Sequence, residues 1–350
     1  MRILEINTEK GWRGGEKQTL LTVSGLISKG HEVTLACKKK SALHKKAHDQ
    51  NINYISIRSN FHLFIFLISN AKKFDLIHAH TAKSLTACVF SNLFHQTKVI
   101  FSRRHYKTPS SWFSKWKYNQ ADCITTVSEY IKTRLLKADI QVPIHVIYDA
   151  SIPVKPNHNR IEKEYGQYLK TSKKIIVTVA AFEHEKDPFT LLEAVYKLNI
   201  QRTDFLFLHF GSGRLKDEIQ ALIEEKNLQT VYLLQGQTPN IEELYSMFDV
   251  FVMSSKNEGL GSSVIDAFLN KVPVVSTNAG GLNELVQNRG RLVPIGNADS
   301  LCQAMQDCLH SDNTQFIDNA YFFATTALST EKIQAEYETL FTCLLANPTV

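Results

Sequence analysis

The sequence has no long hydrophobic run, no C-x-x-C cysteine pair and no dinucleotide-binding fingerprint, and each absence excludes a class of protein. The longest apolar stretch, residues 61–68, includes a histidine and is far shorter than the roughly 20 residues that cross a bilayer, so we expect no membrane span. We expect no signal peptide ahead of the first strand. The absence of G-x-G-x-x-G argues against a dehydrogenase. With 43% hydrophobic and 21% charged residues, the composition is that of a globular protein.

Cysteines are few and scattered, at positions 37, 88, 123, 302, 308 and 343. Several lie inside apolar runs, and none has the close spacing typical of zinc sites and redox motifs. We therefore expect reduced, mostly buried thiols and a cytoplasmic protein.

Charge is distributed unevenly along the chain. Residues 1–150 hold 23 Lys and Arg against 10 Asp and Glu, whereas the remainder holds 17 against 24. The excess of positive charge in the first part favours contact with an anionic surface, either acidic lipid headgroups or nucleic acid. No signature of a nucleic-acid-binding module is present, so we expect no nucleic-acid partner.

Short apolar runs rich in β-branched residues alternate with helical periodicity throughout. This alternation predicts an α/β fold of two Rossmann-like domains, each with a parallel sheet covered by helices, that face each other across a cleft. Prolines, charges and a glycine at 153–170 indicate a linker. We place an N-terminal domain at 1–160, a C-terminal domain at 161–330, and a helix at 331–350 that returns to the first domain.

Two acidic residues, Glu258 and Asp266, flank a glycine-rich segment after the predicted strand at 249–253. The residues from 264 to 269 predict a helix packed on the sheet. Ligands of open parallel sheets bind at the carboxyl ends of the strands, where helix N-termini offer unpaired N–H groups. Two carboxylates beside glycines in such a place suit a polyol that carries phosphate.

Two further motifs follow strands in the same way. Gly14-Gly15 lies between the first strand and an amphipathic helix, where a phosphate or sugar can approach the positive end of the helix; a simple tight turn is the alternative. Lys186 follows the first strand of the second half and is either a mobile charge that reaches a phosphate or an exposed loop lysine.

Three histidines lie near the carboxyl ends of predicted strands in the first half. His78 and His80 share one strand face and superficially resemble a metal pair, but no further ligand is evident. We therefore expect no metal site and predict that His80 lines the cleft. His105, in a basic loop after the strand at 99–102, either faces the cleft or is an ordinary surface histidine.

Aromatic residues and lysines interleave between positions 106 and 118. Trp112 and Trp116 are four residues apart and fit either the buried stripe of a helix or an interfacial contact with anionic lipid. Lys115 and Lys117 would contribute to the second arrangement.

Taken in order, these motifs resemble those of the retaining glycosyltransferases with the GT-B fold that form family 4. The resemblance covers almost the whole chain and is strongest over residues 174–296. It rests on Gly14-Gly15, residues 75–80, 121–128, Lys186, Gly211-x-Gly213, Glu258-Gly259-Leu260-Gly261 with Asp266, Gly280-Gly281-x-x-Glu284 and residues 292–294.

The resemblance implies transfer of a sugar from a nucleotide-sugar to an acceptor, with retention at the anomeric carbon and without a cofactor or an obligatory metal. It implies that the C-terminal domain binds the donor: Glu258 contacts the sugar, Asp266 the ribose and Lys186 the diphosphate. The backbone beside Glu258 would contribute through Gly259, Leu260, Gly261 and Ser262.

The N-terminal domain would be the acceptor side in this family. There the resemblance implies that Gly14 and Gly15 meet the phosphate or sugar and that His105 lies near the transferred sugar. Glu258 and His105 are accordingly the candidate catalytic residues.

The chain departs from the family pattern at three places. Asp266 stands where the family usually has glutamate, and Ala181 where it often has an arginine that Arg103, Arg104 or Arg214 would have to replace. Asp149-Ala150 stands in place of the usual Asn-Gly.

The leading functional hypothesis is a cytoplasmic glycosyltransferase, either free or docked peripherally on the inner face of the cytoplasmic membrane. Its acceptor would be a glycan or a lipid-linked molecule of lipopolysaccharide, capsule or glycolipid synthesis. A nucleotide-sugar 2-epimerase is the second hypothesis. The third is a catalytically weak adaptor that binds nucleotide-sugar or lipid, as Ala181 and Asp266 suggest.

Overall fold

Within residues 1–346, which the computed structural model describes, the strands form two parallel sheets, one in each of two units. The N-terminal unit comprises Met1–Ala150 together with the described residues from Leu328 to Ala346, and the C-terminal unit comprises Ser151–Ala327. Two α/β units with parallel sheets confirm the predicted fold class.

The sheet of the N-terminal unit has the order β3-β2-β1-β4-β5-β6-β7. Its strands are β1 Arg2–Asn7, β2 Glu32–Lys38, β3 Tyr54–Ile57, β4 Leu76–Ala79, β5 Lys98–Arg103, β6 Cys123–Thr126 and β7 Ile144–Val146. The strand predicted at 99–102 lies within β5. Most strand residues are buried, as expected for a parallel sheet with helices on its faces.

The helices of the N-terminal unit are α1 Gly14–Ser28, α2 Ala42–Asp49, α3 Asn60–Asn70, α4 Ala82–His95, α5 Trp112–Tyr118, α6 Glu129–Leu136 and, from the end of the chain, α14 Thr330–Ala346. Helix α14 packs against α1 and buries Tyr337 and Phe341 in the same core as β1 and β2. The two helices approach closely because α1 has a glycine at the crossing: a Cβ on Gly25 would lie 1.8 Å from the Gln334 side chain.

The sheet of the C-terminal unit has the order β10-β9-β8-β11-β12-β13. Its strands are β8 Lys174–Val179, β9 Phe205–Phe210, β10 Tyr232–Gly236, β11 Val250–Met253, β12 Val274–Thr277 and β13 Arg291–Val293. Strands β8 and β11 are hydrogen-bonded neighbours although more than 70 residues separate them in the chain. The loops that follow these two strands are therefore brought together.

The helices of the C-terminal unit are α7 His158–Leu169, α8 Pro188–Gln201, α9 Lys216–Glu225, α10 Ser262–Leu269, α11 Gly281–Val286, α12 Ala298–His310 and α13 Thr314–Thr326. Helix α7 occupies much of the predicted linker, yet it packs within this unit. It buries Ile161 and Tyr165, and Arg160 forms an ion pair with Glu243 at 3.2 Å. The division between the units falls at 150/151, ahead of α7.

The six cysteines, all within the described residues, carry free thiols, and Cys343 alone among them is exposed. In the same part of the chain, no helix combines the length and apolar character needed to cross a bilayer.

Candidate active site

The loops after β8 and β11 join two of the residues that the sequence analysis singled out. The Lys186 ammonium donates a hydrogen bond to the Glu258 carboxylate and forms an ion pair with it. Both side chains are mostly buried, at 26% and 16% exposure. The same carboxylate accepts a longer bond from the Ser255 hydroxyl, at 3.4 Å.

Backbone hydrogen bonds fix this pairing. The carbonyl of Glu185 accepts from the N–H of Lys256 at 2.8 Å and of Asn257 at 3.3 Å. In the opposite direction, the Ser254 hydroxyl donates to the carbonyl of Lys186 at 2.8 Å. Hydrogen bonds therefore join the two loops on both sides of the ion pair. They hold Lys186 and Glu258 together without a ligand.

The glycine segment after Glu258 leads directly into α10. Gly261 precedes the helix with a φ of +107°, a conformation that glycine adopts without steric cost. The start of α11 lies against this segment: the Gly281 N–H donates to the Glu258 carbonyl at 3.1 Å, and a Cβ on Gly281 would lie 2.0 Å from the Gly259 carbonyl oxygen. Leu260 is buried beneath. The segment is thus a rigid backbone element beside the ion pair.

Asp266 lies on α10, one turn beyond Ser262 at the start of the helix. Residues four apart on a helix share a face, so Asp266 and Ser262 lie on the same side of α10. Asp266 is half-buried and Ser262 is exposed. Beneath them, Tyr245 donates to the Ser263 carbonyl at 3.0 Å, and burial, reinforced by the negative charge of Asp266, raises the pKa of that phenol.

Two further charged residues lie in these loops and in the loop after β9. Sequence reasoning missed Lys256, whereas it named Arg214 as a possible replacement for the arginine absent at 181. Lys256 forms an ion pair with the buried carboxylate of Asp187, the residue after Lys186, at 3.0 Å. Arg214 forms one with Glu183 at 2.7 Å. The signal available for Lys256 was its position just after a strand.

Gly211 and Gly213 have a packing role. A Cβ on Gly211 would lie 1.9 Å from the Ala180 carbonyl oxygen, and one on Gly213 would lie 2.4 Å from that of Phe182. The loop after β9 therefore packs backbone against backbone on the loop after β8.

In the N-terminal unit, Gly14 and Gly15 are the first two residues of α1. Nothing lies within 4 Å of the place where a Cβ on Gly15 would be. Inside the same turn, the Glu16 carboxylate accepts from the Arg13 N–H at 2.8 Å. Burial raises the pKa of Glu16.

His105 is exposed in the loop after β5. Its Nδ1 accepts from the Lys107 N–H at 3.1 Å, and its ring stacks on Tyr106 with 4.7 Å between centroids. These two contacts fix the orientation of the ring within the loop.

His80, in contrast, is buried, and the prediction that it lines a cleft is wrong. Its side chain and those of His78 and Glu5 have no exposed surface. Both imidazoles contact the Glu5 carboxylate: His78 through Nδ1 at 3.0 Å and His80 through Nε2. Glu5 is the third potential metal ligand that sequence reasoning did not find, and the three ligand atoms lie within 4.8 Å of one another.

Hydrogen bonds already engage both ring nitrogens of each histidine. His78 Nε2 contacts the Ser102 hydroxyl at 2.7 Å, and His80 Nδ1 accepts from Arg104 at 2.9 Å. Because Arg104 only donates, the proton of neutral His80 is on Nε2 and points to Glu5. Burial alone raises the pKa of Glu5, but the two imidazoles outweigh it and hold that pKa at about 2. Burial, with the charges of His78 and Arg104, lowers the pKa of His80 to about 3.

The corner at Asp149-Ala150 continues this network. Arg104 forms an ion pair with Asp149 at 3.0 Å. The Gln18 side chain of α1 holds Ala150 by both its backbone groups, donating to the carbonyl at 2.7 Å and accepting from the N–H at 2.9 Å. Arg104 is thus committed to a buried structural pair. Arg103 packs over the Tyr118 ring and donates to the Lys107 carbonyl.

Comparison with known proteins places these features in a family. The family model described as Glycosyltransferase Family 4 matches residues 12–150, and the one described as Glycosyl transferases group 1 matches residues 160–321. The chain belongs to this glycosyltransferase family. The second match spans the whole segment that contains Lys186, Glu258 and Asp266.

Two curated relatives illustrate the likeness. The glycosyltransferase is 27% identical over 296 residues to N-acetyl-alpha-D-glucosaminyl L-malate synthase of Bacillus anthracis. The matching segment covers 78% of this chain and 76% of that protein. It is 31% identical over 247 residues to N-acetylgalactosamine-N,N'-diacetylbacillosaminyl-diphospho-undecaprenol 4-alpha-N-acetylgalactosaminyltransferase of Campylobacter jejuni. This match covers 65% of this chain and 64% of that protein.

Among solved structures, the fold matches that of Anabaena HepE in complex with UDP and glucose, with a TM-score of 0.87 and 18% identity over 98% of this chain and 100% of that chain. The glycosyltransferase therefore has the two-domain GT-B architecture.

Proposed function

We propose that this glycosyltransferase moves a sugar from a nucleoside-diphosphate sugar to a glycan or lipid-linked acceptor of the cell envelope, with retention at the anomeric carbon and without an obligatory metal. The observation that carries the proposal is the Lys186–Glu258 pair, held at the carboxyl ends of β8 and β11 by interlocking loops. Ligands of parallel α/β sheets bind at that edge.

The charges of the pair suit the two ends of the donor. As the glycosidic bond breaks, negative charge grows on the leaving diphosphate, and a preorganised ammonium at Lys186 stabilises it. Glu258 accepts hydrogen bonds from the hydroxyls of the sugar as the ring becomes oxocarbenium-like. When the donor binds, its diphosphate replaces the Glu258 carboxylate as the partner of Lys186. The carboxylate then accepts hydrogen bonds from the sugar.

The surrounding residues have roles consistent with this donor. Asp266 binds the ribose diol, and the backbone of Gly259, Leu260, Gly261 and Ser262 lies along the sugar and phosphates. Arg214 supplies the second positive charge on the diphosphate, because it is exposed and belongs to the same unit as Lys186, whereas Arg103 and Arg104 are engaged within the N-terminal unit.

The first unit contributes Gly14, Gly15 and His105. The open space at Gly15 lets a phosphate or sugar approach the first turn of α1. His105 orients a hydroxyl of the transferred sugar. The acceptor's proton leaves through a phosphate oxygen of the departing group, so the mechanism needs no dedicated protein base.

One relative supports the envelope acceptor, since the Campylobacter jejuni protein is named for a diphospho-undecaprenol substrate, whereas the Bacillus anthracis protein is named for L-malate. The solved Anabaena structure contains UDP and glucose, which supports a nucleotide-sugar donor. We propose lipopolysaccharide, capsule or glycolipid as the product class. The place of action is the cytoplasm, at the inner face of the cytoplasmic membrane.

A screen of UDP-, GDP- and ADP-sugars by thermal unfolding tests the donor class. A ligand that binds the folded state stabilises it by about 2.7 kcal/mol at one hundred times its dissociation constant. We expect one nucleotide class to raise the melting temperature of the wild type and not of Lys186→Ala. If none of the nucleotide-sugars stabilises the wild type, the proposal fails.

A nucleotide-sugar 2-epimerase is the competing activity. Incubation with donor alone distinguishes the two, since inversion of the sugar without transfer identifies the epimerase. An adaptor without activity would leave the cellular glycan unchanged on Glu258→Ala.

A further inference from the structure

Helices α4 and α5 of the N-terminal unit expose a cluster of large apolar side chains. The most exposed are Leu93 at 80% and Trp112 at 77%. We call the cluster the aromatic patch and define it as Phe90, Leu93, Phe94, Trp112 and Phe113. Exposed apolar residues scattered singly are normal, but a contiguous group of this kind marks an interaction surface.

Ring contacts join the members of the aromatic patch on α5 to Phe90 of α4, and Leu93 and Phe94 lie three and four residues after Phe90 on the same helix face. Phe90 of α4 stacks on Phe113 of α5 with 6.2 Å between centroids, and it contacts Trp116 at 5.9 Å. Trp116 in turn stacks on Trp112 at 6.5 Å. Trp116 is half-buried and anchors the group, whereas Trp112 extends outward. The tryptophans are therefore not the buried stripe of a helix.

The surroundings of the aromatic patch are basic. Helices α3, α4 and α5 contain no aspartate or glutamate. Lys72 and Lys73 are exposed after α3, and a hydrogen bond of 3.2 Å from Thr97 to Ala71 holds that end beside the end of α4. Lys83, on the first turn of α4, is 68% exposed and forms a long ion pair with Glu9 at 3.9 Å.

Two lysines that the sequence pattern suggested as lipid contacts have other partners. Lys117 is buried and donates to the Ala82 carbonyl at 3.0 Å, which ties α5 to α4. Lys115 forms an ion pair with Asp139 at 3.0 Å. Lys72 and Lys73 are exposed, and the pair of Lys83 with Glu9 is longer than that of Lys115 with Asp139 and is solvated. An exposed pair of this length contributes little. We call Lys72, Lys73 and Lys83 the basic rim.

We propose that the aromatic patch and the basic rim dock the enzyme on a bilayer that contains anionic lipid, with Leu93 and Trp112 inserted at the level of the headgroups. Tryptophan and phenylalanine partition favourably into the interface, while lysines beside them attract anionic headgroups. A second copy of the chain fits less well, because a twofold contact of the patch with itself would bring two basic rims together. This surface goes beyond the proposed reaction and does not depend on the donor chemistry.

Vesicle sedimentation of the full chain tests the proposal. The test variant is Leu93→Ser with Trp112→Ser. The matched control is Ile200→Ser with Phe322→Ser, two C-terminal-unit residues that are each 68% exposed. Vesicles of phosphatidylcholine with phosphatidylglycerol are compared with vesicles of phosphatidylcholine alone.

We expect wild type and control to bind the anionic vesicles equally and the test variant to bind at least about tenfold more weakly, given the apolar area that both side chains bury. Neutralising the basic rim with Lys72→Gln, Lys73→Gln and Lys83→Gln should remove the preference for phosphatidylglycerol and the salt dependence. Because all these side chains are exposed, the melting temperatures should match that of the wild type.

Three results would overturn the proposal. One is equal binding by the test variant, another is wild-type binding to neither vesicle, and the third is a solution dimer that the test variant dissociates. Donor stabilisation of the same variants keeps the two proposals apart. A variant that loses vesicle binding but is still stabilised by the donor is altered only in the docking surface. A variant that binds vesicles but is no longer stabilised by the donor is altered only in the donor site.

Discussion

Lys186 and Glu258 are hydrogen-bonded to each other across the loops that follow two neighbouring strands. Each charge is compensated by the other, so neither is left desolvated and unpaired. A ligand that displaces one must offer an equivalent partner. A nucleoside-diphosphate sugar does so, since its phosphates replace the carboxylate and its hydroxyls replace the ammonium.

Glu258→Gln should lower kcat by roughly 10²–10³-fold, the usual cost of removing one preorganised electrostatic group. Lys186→Ala should weaken donor binding as well, because it removes the charge that meets the diphosphate in the ground state. Steady-state kinetics with calorimetric titration of the nucleotide-sugar separate the two effects. Lys197→Ala, which breaks an ion pair of the same unit with Asp299, is the control. Wild-type turnover by Glu258→Gln would contradict the assignment.

Asp266→Ala should raise the KM for the donor roughly 10- to 150-fold and change kcat little, because losing hydrogen bonds to one charged group costs about 1.5–3 kcal/mol of binding. Asp266→Glu should retain most of the affinity, since the longer side chain still reaches a ribose diol. Asp307→Ala on α12 is the comparison, a helical aspartate bonded to Gln303. Equal KM values for Asp266→Ala and Asp307→Ala would remove Asp266 from the donor site.

The parallel sheets could be predicted because buried strands are continuous apolar runs, as in β9, where all residues from Phe205 to Phe210 are buried. The Lys186 and Glu258 loops could be predicted to follow strands for the same reason. Their direct contact could not, because it depends on β8 pairing with β11, a long-range choice that local patterns do not encode.

The Glu5 network escaped prediction for a similar reason. Glu5 faces His78 because β1 pairs with β4 in that register. The signal in the sequence was a lone glutamate inside the apolar run 3–6. Helix α7 carried a clearer signal, since Ile161 and Tyr165 are four residues apart, but its charges and nearby prolines suggested a linker.

Glu5→Gln should lower the free energy of unfolding of the N-terminal unit by about 3–5 kcal/mol, the cost of breaking a buried charge-assisted group. Glu32→Gln, on the neighbouring strand and exposed, should change it by less than about 0.5 kcal/mol. Hydrogen exchange of β1 and β4 reports this unit separately from the other. Equal protection in both variants would show that the network adds no stability.

The same network should make the N-terminal unit sensitive to acid. The pKa of His80 is about 3 in the folded state against an ordinary 6.5, so below pH 6.5 the unfolded chain takes up a proton that the folded chain does not. Glu5, at about 2 against 4.5, acts in the same direction at lower pH. The free energy of unfolding should therefore fall as pH drops from 6.5 toward 3.

His80→Gln should flatten this dependence between pH 6.5 and 4.5 in the exchange of β1 and β4. The C-terminal unit serves as the internal control, because burial also lowers the pKa of its His209 to about 3. Its acid sensitivity should be unchanged in His80→Gln. An unchanged slope in the N-terminal unit of His80→Gln would contradict the assignment of a neutral, buried imidazole.

Two glycine-to-alanine variants distinguish packing from ligand contact. In Gly281→Ala, the new Cβ would lie 2.0 Å from the Gly259 carbonyl oxygen, so α11 must move away from the loop that carries Glu258. We expect a loss of about 1–3 kcal/mol in stability, as for other overpacked sites, together with weaker donor binding. Thermal unfolding with and without the nucleotide-sugar measures both.

Gly15→Ala should behave in the opposite way. Nothing lies within 4 Å of its Cβ position, and alanine inside a helix is favoured over glycine by roughly 0.5–1 kcal/mol, so the folded protein should become more stable. If a phosphate or sugar approaches the first turn of α1, the added methyl group occupies part of its space, and turnover should fall despite the gain in stability. A variant that is both more stable and fully active would show that Gly14-Gly15 is only a turn at the start of a helix.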